Sequence, residues 1–395
     1  MFTNGLKRKS YDVIVIGAGI QGSCLAFELG KRGVKNVLLI EKEYVSSGAT
    51  GRCAAGIRTQ FGRKQNLEIA IGSMKIWEQV EKYTGYPHDC GVEKTGYMCL
   101  ALNEAELRTF EKNVALQETY NTGSVMLTPD EVKKLAPGIS YEHYPVLGAS
   151  WNEEDGTADP HNCTLAFSKG AEKFGVEVAT YTKVEHLVAE NGQIKGVMTD
   201  RYGFIESGCV YNMANSYAPV LAAEIGDILP IKNERHQIFV TEPVAPLGVD
   251  GRPHPMVLTF CRGTYSKQTA HGSFTIGTDE TPPHSYNMAP TWQFMEDCCK
   301  KHCDLFPFFR HMRVLRQWAG FYDVSPDENT IVHFSENAKG LVNVCGFSGH
   351  GFLLGPRMGQ LLANNYCGMP DEIDINMFSM KRYETGQLLS EPMCV

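Results

Sequence analysis

The chain has 395 residues, enough to bury a large core and to form two intimately joined domains. Its composition, 43% hydrophobic and 21% charged with 39 Gly and 19 Pro, is that of a globular enzyme and excludes a fibrous or disordered chain. A net charge of -8 argues against a nucleic-acid partner, no apolar run approaches membrane-span length, and the first strand starts too early to leave room for an export signal; no integral membrane segment and a cytoplasmic location are the expectations.

The chain opens with Tyr11-Asp-Val-Ile-Val-Ile-Gly17-Ala-Gly19-Ile-Gln-Gly22. Val13 to Ile16 suits a buried parallel strand, Gly17 permits the tight turn, Gly19 lets backbone approach a pyrophosphate, and Gly22 lets a helix sit close to the sheet. That helix N-terminus faces phosphate. A second strand, Val37 to Ile40, ends in Glu41, which accepts hydrogen bonds from an adenosine ribose and would repel a phosphorylated one, so FAD or NAD is favoured over NADP.

A Gly/Ser/Thr-rich loop, Ser46 to Arg58, precedes an amphipathic helix expected from about Asn66 to Tyr83. Thr95 to Leu102 reads as a strand, Asn103 as the N-cap of a helix reaching Glu118, and Thr128-Pro129 as the start of another capped helix. A helix follows Asp159-Pro-His-Asn to Lys173, then a strand Val176 to Ala179 and two strands around Asn191-Gly192. Cys209 to Asn215 resembles a parallel strand returning to the nucleotide sheet, and Gln237 to Gly277 alternates as an antiparallel sheet does. Leu341 to Cys345 is an apolar strand running into Gly346-Phe-Ser-Gly-His-Gly-Phe352 and a helix expected over Pro356 to Asn364.

Nucleotide-sheet segments therefore lie at both ends and in the middle. The fold expected is α/β, α+β overall: a Rossmann-like domain of glutathione-reductase type (residues 1–83, 146–220 and 320–395), with a discontinuous substrate domain on a mixed, largely antiparallel sheet (84–145 and 221–319). The 13 cysteines are scattered and read as reduced thiols. Cys299 and Cys303 share a helix face near Cys298, but no second pair completes a ligand set, so packing is preferred and no metal site is expected.

The glycine motif, the loop Arg52-Cys-Ala-Ala-Gly-Ile-Arg58-Thr-Gln-Phe61-Gly62, Arg235 to Pro243, Trp318-Ala-Gly-Phe-Tyr-Asp-Val-Ser-Pro326-Asp and Gly346 to Phe352 together resemble the D-amino-acid oxidase superfamily of FAD enzymes. Within it the chain is similar to the β subunit of dye-linked L-proline dehydrogenase and, more distantly, to the sarcosine oxidase β subunit, glycine oxidase and monomeric sarcosine oxidase. The likeness covers nearly the whole chain.

The resemblance implies FAD contacts from Gly17, Gly19, Ile20, Gln21 and Gly22, and from Glu41, Lys42 and Ser47. It adds Thr50, Arg52, Cys53, Ala54, Ala55 and Gly56 of the loop, then Val184, Ala214 and Asn215, then Trp318 and Gly320. The last turn contributes Gly346, Gly349, His350, Gly351, Phe352 and Leu353; the backbone N–H groups from Gly349 to Leu353 would stabilise negative charge on the flavin pyrimidine edge. Arg58 aligns with the arginine that grips the substrate carboxylate in monomeric sarcosine oxidase. His350 would wedge against the ring or bond locally, and Tyr265 and Tyr322 would wall the pocket or bond the carboxylate.

Where oxidases of this type carry lysines, this chain has Thr275 and Leu353, which implies slow reaction with oxygen and electrons leaving through a partner. The relatives implied pass electrons to an FMN at the interface with an α-type subunit in a hetero-oligomer. Pro160 occupies the place of the histidine that holds FMN covalently, with His161 beside it, so a noncovalent FMN stays open. The activity implied is FAD-dependent oxidation of a secondary or cyclic amino acid, with L-proline to pyrroline-5-carboxylate first. A sarcosine, glycine, D-amino-acid or hydroxyproline enzyme, an oxidase acting alone, and an FAD-carrying subunit without its own substrate also remain.

Overall fold

A computed structural model describes residues 5–280 and 282–391. Val13–Ile16 lies inside a six-stranded sheet, between Val37–Ile40 and Val210–Asn212. Glu177–Ala179 extends it on one side and Leu341–Cys345 on the other, all parallel, and Ile331–Phe334 closes the edge antiparallel. Side-chain alternation decides what covers each face. Val13, Val15, Val37 and Leu39 point into a core shared with the helices Ile20–Lys31, Pro160–Lys173 and Gly351–Tyr366. Ile14, Ile16, Leu38 and Ile40 point the other way, onto the three-stranded antiparallel sheet Val184–Glu190, Gln193–Thr199 and Gly203–Glu206. The glutathione-reductase-type layering expected from the sequence is present.

An eight-stranded mixed sheet forms the second half, running from Val314–Val324 at one edge to Val125–Leu127 at the other. Its pairs are antiparallel except Met256–Thr259 against Tyr97–Ala101. Met98, Leu100, Val257 and Ile276 face a core closed by the helix Trp292–Leu305. Tyr97, Cys99, Ile238 and Tyr265 face the opposite way, packing with Trp318 of the same sheet and toward Ala54 of the first half. That second face carries the candidate site.

Several local expectations hold in detail. Asn103 Oδ1 accepts from the Ala105 and Glu106 amides, Thr128 and Glu131 form a capping box with Pro129 at the first helical position, and Asp159 caps the helix that begins at Pro160. Two helices differ. The one expected from Asn66 to Tyr83 is broken into Lys64–Trp77 and Val80–Thr84 at the non-helical Gln79, which buries both Trp77 and Val80. The last long helix begins at Gly351, with Pro356 inside it. Its interior proline forfeits one ladder bond, and the next amide, Arg357 N, donates to Ser73 Oγ at 3.1 Å instead. The boundary expected at residue 146 falls just ahead of Gly148–Asn152, which pairs with Tyr97–Ala101 in the eight-stranded sheet, and that at 320 falls within Val314–Val324. No helix among the described residues is long and apolar enough to cross a membrane.

Candidate functional site

The first strand and helix build a cleft that runs from Glu41 past Gly17, Gly19 and Gly22 to Gly349, Gly351 and Phe352. A Cβ on Gly22 would lie 2.0 Å from the Gly17 carbonyl oxygen, and one on Gly17, at φ +101°, would lie 2.6 Å from that of Met213. Glycine is therefore required for the helix and the returning strand to close on this turn. Glu41 is buried; its carboxylate accepts from the Ala18 amide and the Glu43 amide, each at 2.9 Å, and from Ser47 Oγ at 3.4 Å. Burial pushes its carboxyl up, and those amides oppose the shift. Thr50 Oγ1 takes the Ile20 amide at 3.1 Å, and Gln21 Nε2 reaches the Gly351 carbonyl at 2.5 Å, tying the two helix N-termini together. Lys42 lies over the Tyr217 ring, 3.8 Å from its centroid, while Val184, Ala214 and Asn215 line the same cleft.

The loop after Glu41 is pinned to the second half by backbone contacts. Arg52 donates to the Ser47 carbonyl at 3.2 Å and to the Ala319 carbonyl at 3.2 Å; Trp318 Nε1 donates to the Arg52 carbonyl at 3.0 Å. A Cβ on Gly320 would sit 3.1 Å from Arg52 Cβ, so the strand and loop touch there. Ala55 adopts a left-handed conformation and Gly56 begins the short strand that delivers Arg58.

At the far end, Gly346, Ser348 and Gly349 are all left-handed, at φ +76°, +47° and +91°, which turns the last strand sharply into its helix. The Gly346 amide donates to Asp323 Oδ2 at 2.7 Å, and a Cβ on Gly349 would meet the Tyr322 ring at 2.6 Å. Burial pushes Asp323 up to about 6, while the Gly346 amide holds it down. The helix from Gly351 starts without a side-chain cap, so its first-turn amides are aimed at the cleft end. Phe352 stacks on Trp77 at 5.0 Å between centroids, and the Leu353 carbonyl accepts from Trp77 Nε1 at 3.1 Å.

Arg58 is 3% exposed, with its NH2 3.3 Å from His350 Nε2 and its guanidinium over Phe61 (5.1 Å) and Tyr97 (5.5 Å). Burial, then the Arg58 charge, lowers His350 to about 3, so the imidazole is neutral, and Nε2 accepts from the guanidinium. Burial pushes Tyr97 up to about 12 against the pull of Arg58. Tyr265 belongs to the same apolar cluster as Tyr97, and its hydroxyl is influenced by Tyr322. Arg58 and His350 thus meet at the last turn and Tyr322 packs against Gly349 there, while Tyr265, from a segment far away in sequence, lies within electrostatic reach of Tyr322.

A second cavity lies beside the loop, lined by Cys53, Ala54, Ala55 and Trp318 together with Pro160 and His161. Cys53 lines this cavity and the nucleotide cleft alike. Thr275 lines it too, and directly across the strand pair stands Lys267, buried and lowered to about 8 chiefly by burial. Residues paired across antiparallel strands share a face, so the cation missing at 275 is present on the neighbouring strand. Sequence reasoning missed it because Lys267 falls outside the motif that places Thr275. Asp155 and Glu391 were missed as well, since each is an acidic residue in a polar segment and only tertiary packing buries it. Cys298 packs against His302, Sγ to Nδ1 3.5 Å, and no His/Cys/Asp/Glu group able to hold a metal occurs among the described residues.

A dinucleotide cleft joined at a helix N-terminus to a buried arginine defines a flavin-type oxidoreductase site. Residues 12–365 match the family described as FAD dependent oxidoreductase, and the chain belongs to that family. It is 30% identical over 391 residues to the sarcosine oxidase subunit beta of Rhodobacter capsulatus, covering 97% of this chain and 91% of the relative. The subunit beta of Arthrobacter sp is 28% identical over 396 residues, covering 99% and 95%. Among solved structures, L-proline dehydrogenase from P. horikoshii superposes with a TM-score of 0.89 at 33% identity, covering 96% of this chain and 99% of the other. Glycine oxidase from Geobacillus kaustophilus shares the fold, with a TM-score of 0.84 at 21% identity and coverage of 95% and 99%. The cofactor is FAD: the glycine cradle, the Glu41 acceptor and the uncapped helix at Gly351 fit its pyrophosphate, ribose and ring, respectively.

Proposed function

We propose that the protein oxidises a secondary or cyclic amino acid, with L-proline to pyrroline-5-carboxylate as the first candidate, and passes the electrons to a partner subunit. The observation that carries this reading is the buried Arg58 held by neutral His350 beside the turn at Gly349. FAD, when bound, supplies the acceptor for the hydride leaving the carbon attached to nitrogen. Arg58 grips the substrate carboxylate in a two-pronged contact. His350, neutral throughout the working range, fixes the guanidinium without competing for its charge. Phe61 and Tyr97 stack against Arg58 and keep water from it, while Tyr265 and Tyr322 wall the amine side. The amine must enter as the free base, and its remaining proton leaves with the imine or pyrroline product. Orientation supplies much of the rate, because a near-attack geometry alone can be worth about 7 kcal/mol or more.

The likeness to sarcosine oxidase β subunits and to L-proline dehydrogenase supports the substrate class and the partner. The second cavity suits a noncovalent FMN under an α-type subunit: Ala54, Ala55 and Thr275 leave it roomy, and Pro160 offers no attachment atom. Lys267 favours a second reading, an oxidase acting alone, since a cation near the ring helps oxygen accept charge. Anaerobic bleaching of the flavin absorbance by a panel of amino acids tests the proposal, with L-proline and sarcosine expected to bleach it. Failure of every secondary and small amino acid would sink it and leave an FAD-carrying subunit. Extraction of FMN along with FAD from an untagged complex would separate the two electron routes.

A further inference from the structure

We propose that Asp155 is a positioning residue for Arg58 and that it makes carboxylate capture at this site dependent on pH; the inference rests on the amino-acid reading above. Asp155 sits in the turn between Gly148–Asn152 and Gly156–Thr157. The strand it leads into pairs antiparallel with Gly56–Ile57, the two residues that deliver Arg58. Its carboxylate is wholly buried: Oδ1 accepts from the Thr59 amide at 2.8 Å and from Thr59 Oγ1 at 3.0 Å, and Oδ2 accepts from Gln60 Nε2 at 3.1 Å. Its own carbonyl accepts from the Gly96 amide at 3.0 Å, next to the strand that carries Tyr97. The residues before Arg58 are thus paired to the segment after Asp155, and the two residues after Arg58 hang on its carboxylate.

The groups that face Asp155 are few. Arg58 comes from the loop, and Tyr97 and Cys99 come from the neighbouring strand. Burial pushes Tyr97 up to about 12 and Cys99 up to about 11, so both are neutral near pH 7. His350, on the other side of Arg58, is lowered to about 3 and is neutral as well. Glu391 also faces Arg58; its carboxylate accepts from the Gly62 amide and from Asn66 Nδ2 at 2.8 Å, and burial raises it. Asp155 itself is raised to about 7, first by burial, with the Gln60 and Thr59 bonds and the Arg58 charge opposing.

Below that value Asp155 is neutral, and an incoming carboxylate meets the guanidinium alone. Above it the buried anion shares the guanidinium's field and repels the ligand. The Thr59 hydroxyl, which already accepts from Asn152 Nδ2 at 3.0 Å, can turn to accept the Asp155 proton, so the neutral form is also satisfied. Two like charges separated by about one residue's width in a partly dry site change affinity by roughly tenfold.

The probe is tetrahydrofuran-2-carboxylate, a ring carboxylate with no titratable amine, added to the full-length FAD-loaded protein and followed by the flavin absorbance. Its Kd is expected to rise about tenfold as pH increases from roughly two units below to two units above neutrality. Asp155→Asn should flatten that profile, and Glu391→Gln should retain it. Binding whose Kd does not change with pH in the wild type, or a slope that persists in Asp155→Asn or vanishes in Glu391→Gln, overturns the inference while leaving the amino-acid reading in place. If Asp155→Asn fails to hold FAD, the wild-type and Glu391→Gln profiles decide. No binding at any pH, with no bleaching by any amino acid, overturns both.

Discussion

The nucleotide cleft and the proposed carboxylate site meet at the turn around His350 but are made of different material. The cleft is backbone and absence: amides at two helix N-termini and glycines whose missing Cβ atoms let chain segments touch, at 2.0 Å for Gly22 and 2.6 Å for Gly17. The proposed carboxylate site is side chains drawn together from residues 58, 97, 155, 265, 322 and 350. Backbone recognition forces glycine at fixed spacing, whereas side-chain recognition needs only that the fold bring the right groups together.

The harshest way to break this contrast is Gly22→Val. Its side chain would collide with the Gly17 carbonyl, a backbone atom that cannot swing away, so purified protein is expected to carry no flavin. A variant with one flavin per chain would mean the turn is not as tightly required as the distances indicate.

Next in size is the lock that holds the far end of the chain. Asp327 is bonded to Arg382 at 2.8 and 2.9 Å, to Tyr383 Oη at 3.0 Å and to the Leu389 amide at 2.9 Å, which leads the segment ending in Glu391 to the Arg58 loop. Breaking a buried pair by removing one partner costs about 3–5 kcal/mol, so Asp327→Ala should lower Tm by several degrees. Burial alone would raise this carboxyl, but Arg382 and the other donors hold it below its ordinary value. A lowered acid adds stability above its unfolded pKa and loses it as pH falls through the folded value. Wild type should therefore lose stability in acid more steeply than Asp327→Ala, and parallel acid limbs in denaturant titrations would refute the assignment.

Arg58→Ala sharpens the contrast directly. Losing a charge-assisted carboxylate contact is worth about 3 kcal/mol, on the order of a hundredfold in Kd for the amino acid, with the flavin content unchanged. Loss of FAD instead would show that the two regions are not separable.

The same contrast explains what the sequence disclosed. Gly17, Gly19, Gly22 and Glu41 were legible because dinucleotide binding writes them at fixed intervals, and the apolar run Val13 to Ile16 marked the buried parallel strand. Arg58 was legible only through resemblance. The true start of the last helix at Gly351 was hidden because a glycine run followed by Pro356 imitates a loop, and the break at Gln79 lacks any glycine or proline to signal it. Asp155 follows Glu153 and Glu154 in a stretch that looks solvent-exposed, and its burial is decided by strands far away.

The smallest expected effect concerns Lys267, where the cleft and the second cavity share the wall made by Cys53. Thr275 in place of a lysine suggested slow reaction of the reduced flavin with oxygen, yet Lys267 occupies the cross-strand position on the same face. Burial lowers this lysine to about 8, so it is charged below that pH and neutral above it. If its charge reaches the ring, reoxidation by oxygen should slow as pH rises through about 8, and Lys267→Met should be slower by roughly tenfold and flat across that range. Its charge is also felt by Cys53, Glu93 and Asp159, which line the second cavity. Should Lys267→Met leave reoxidation by oxygen untouched while weakening retention of a second flavin, the cation belongs to that cavity's ligand, and the dehydrogenase reading gains at the expense of the oxidase.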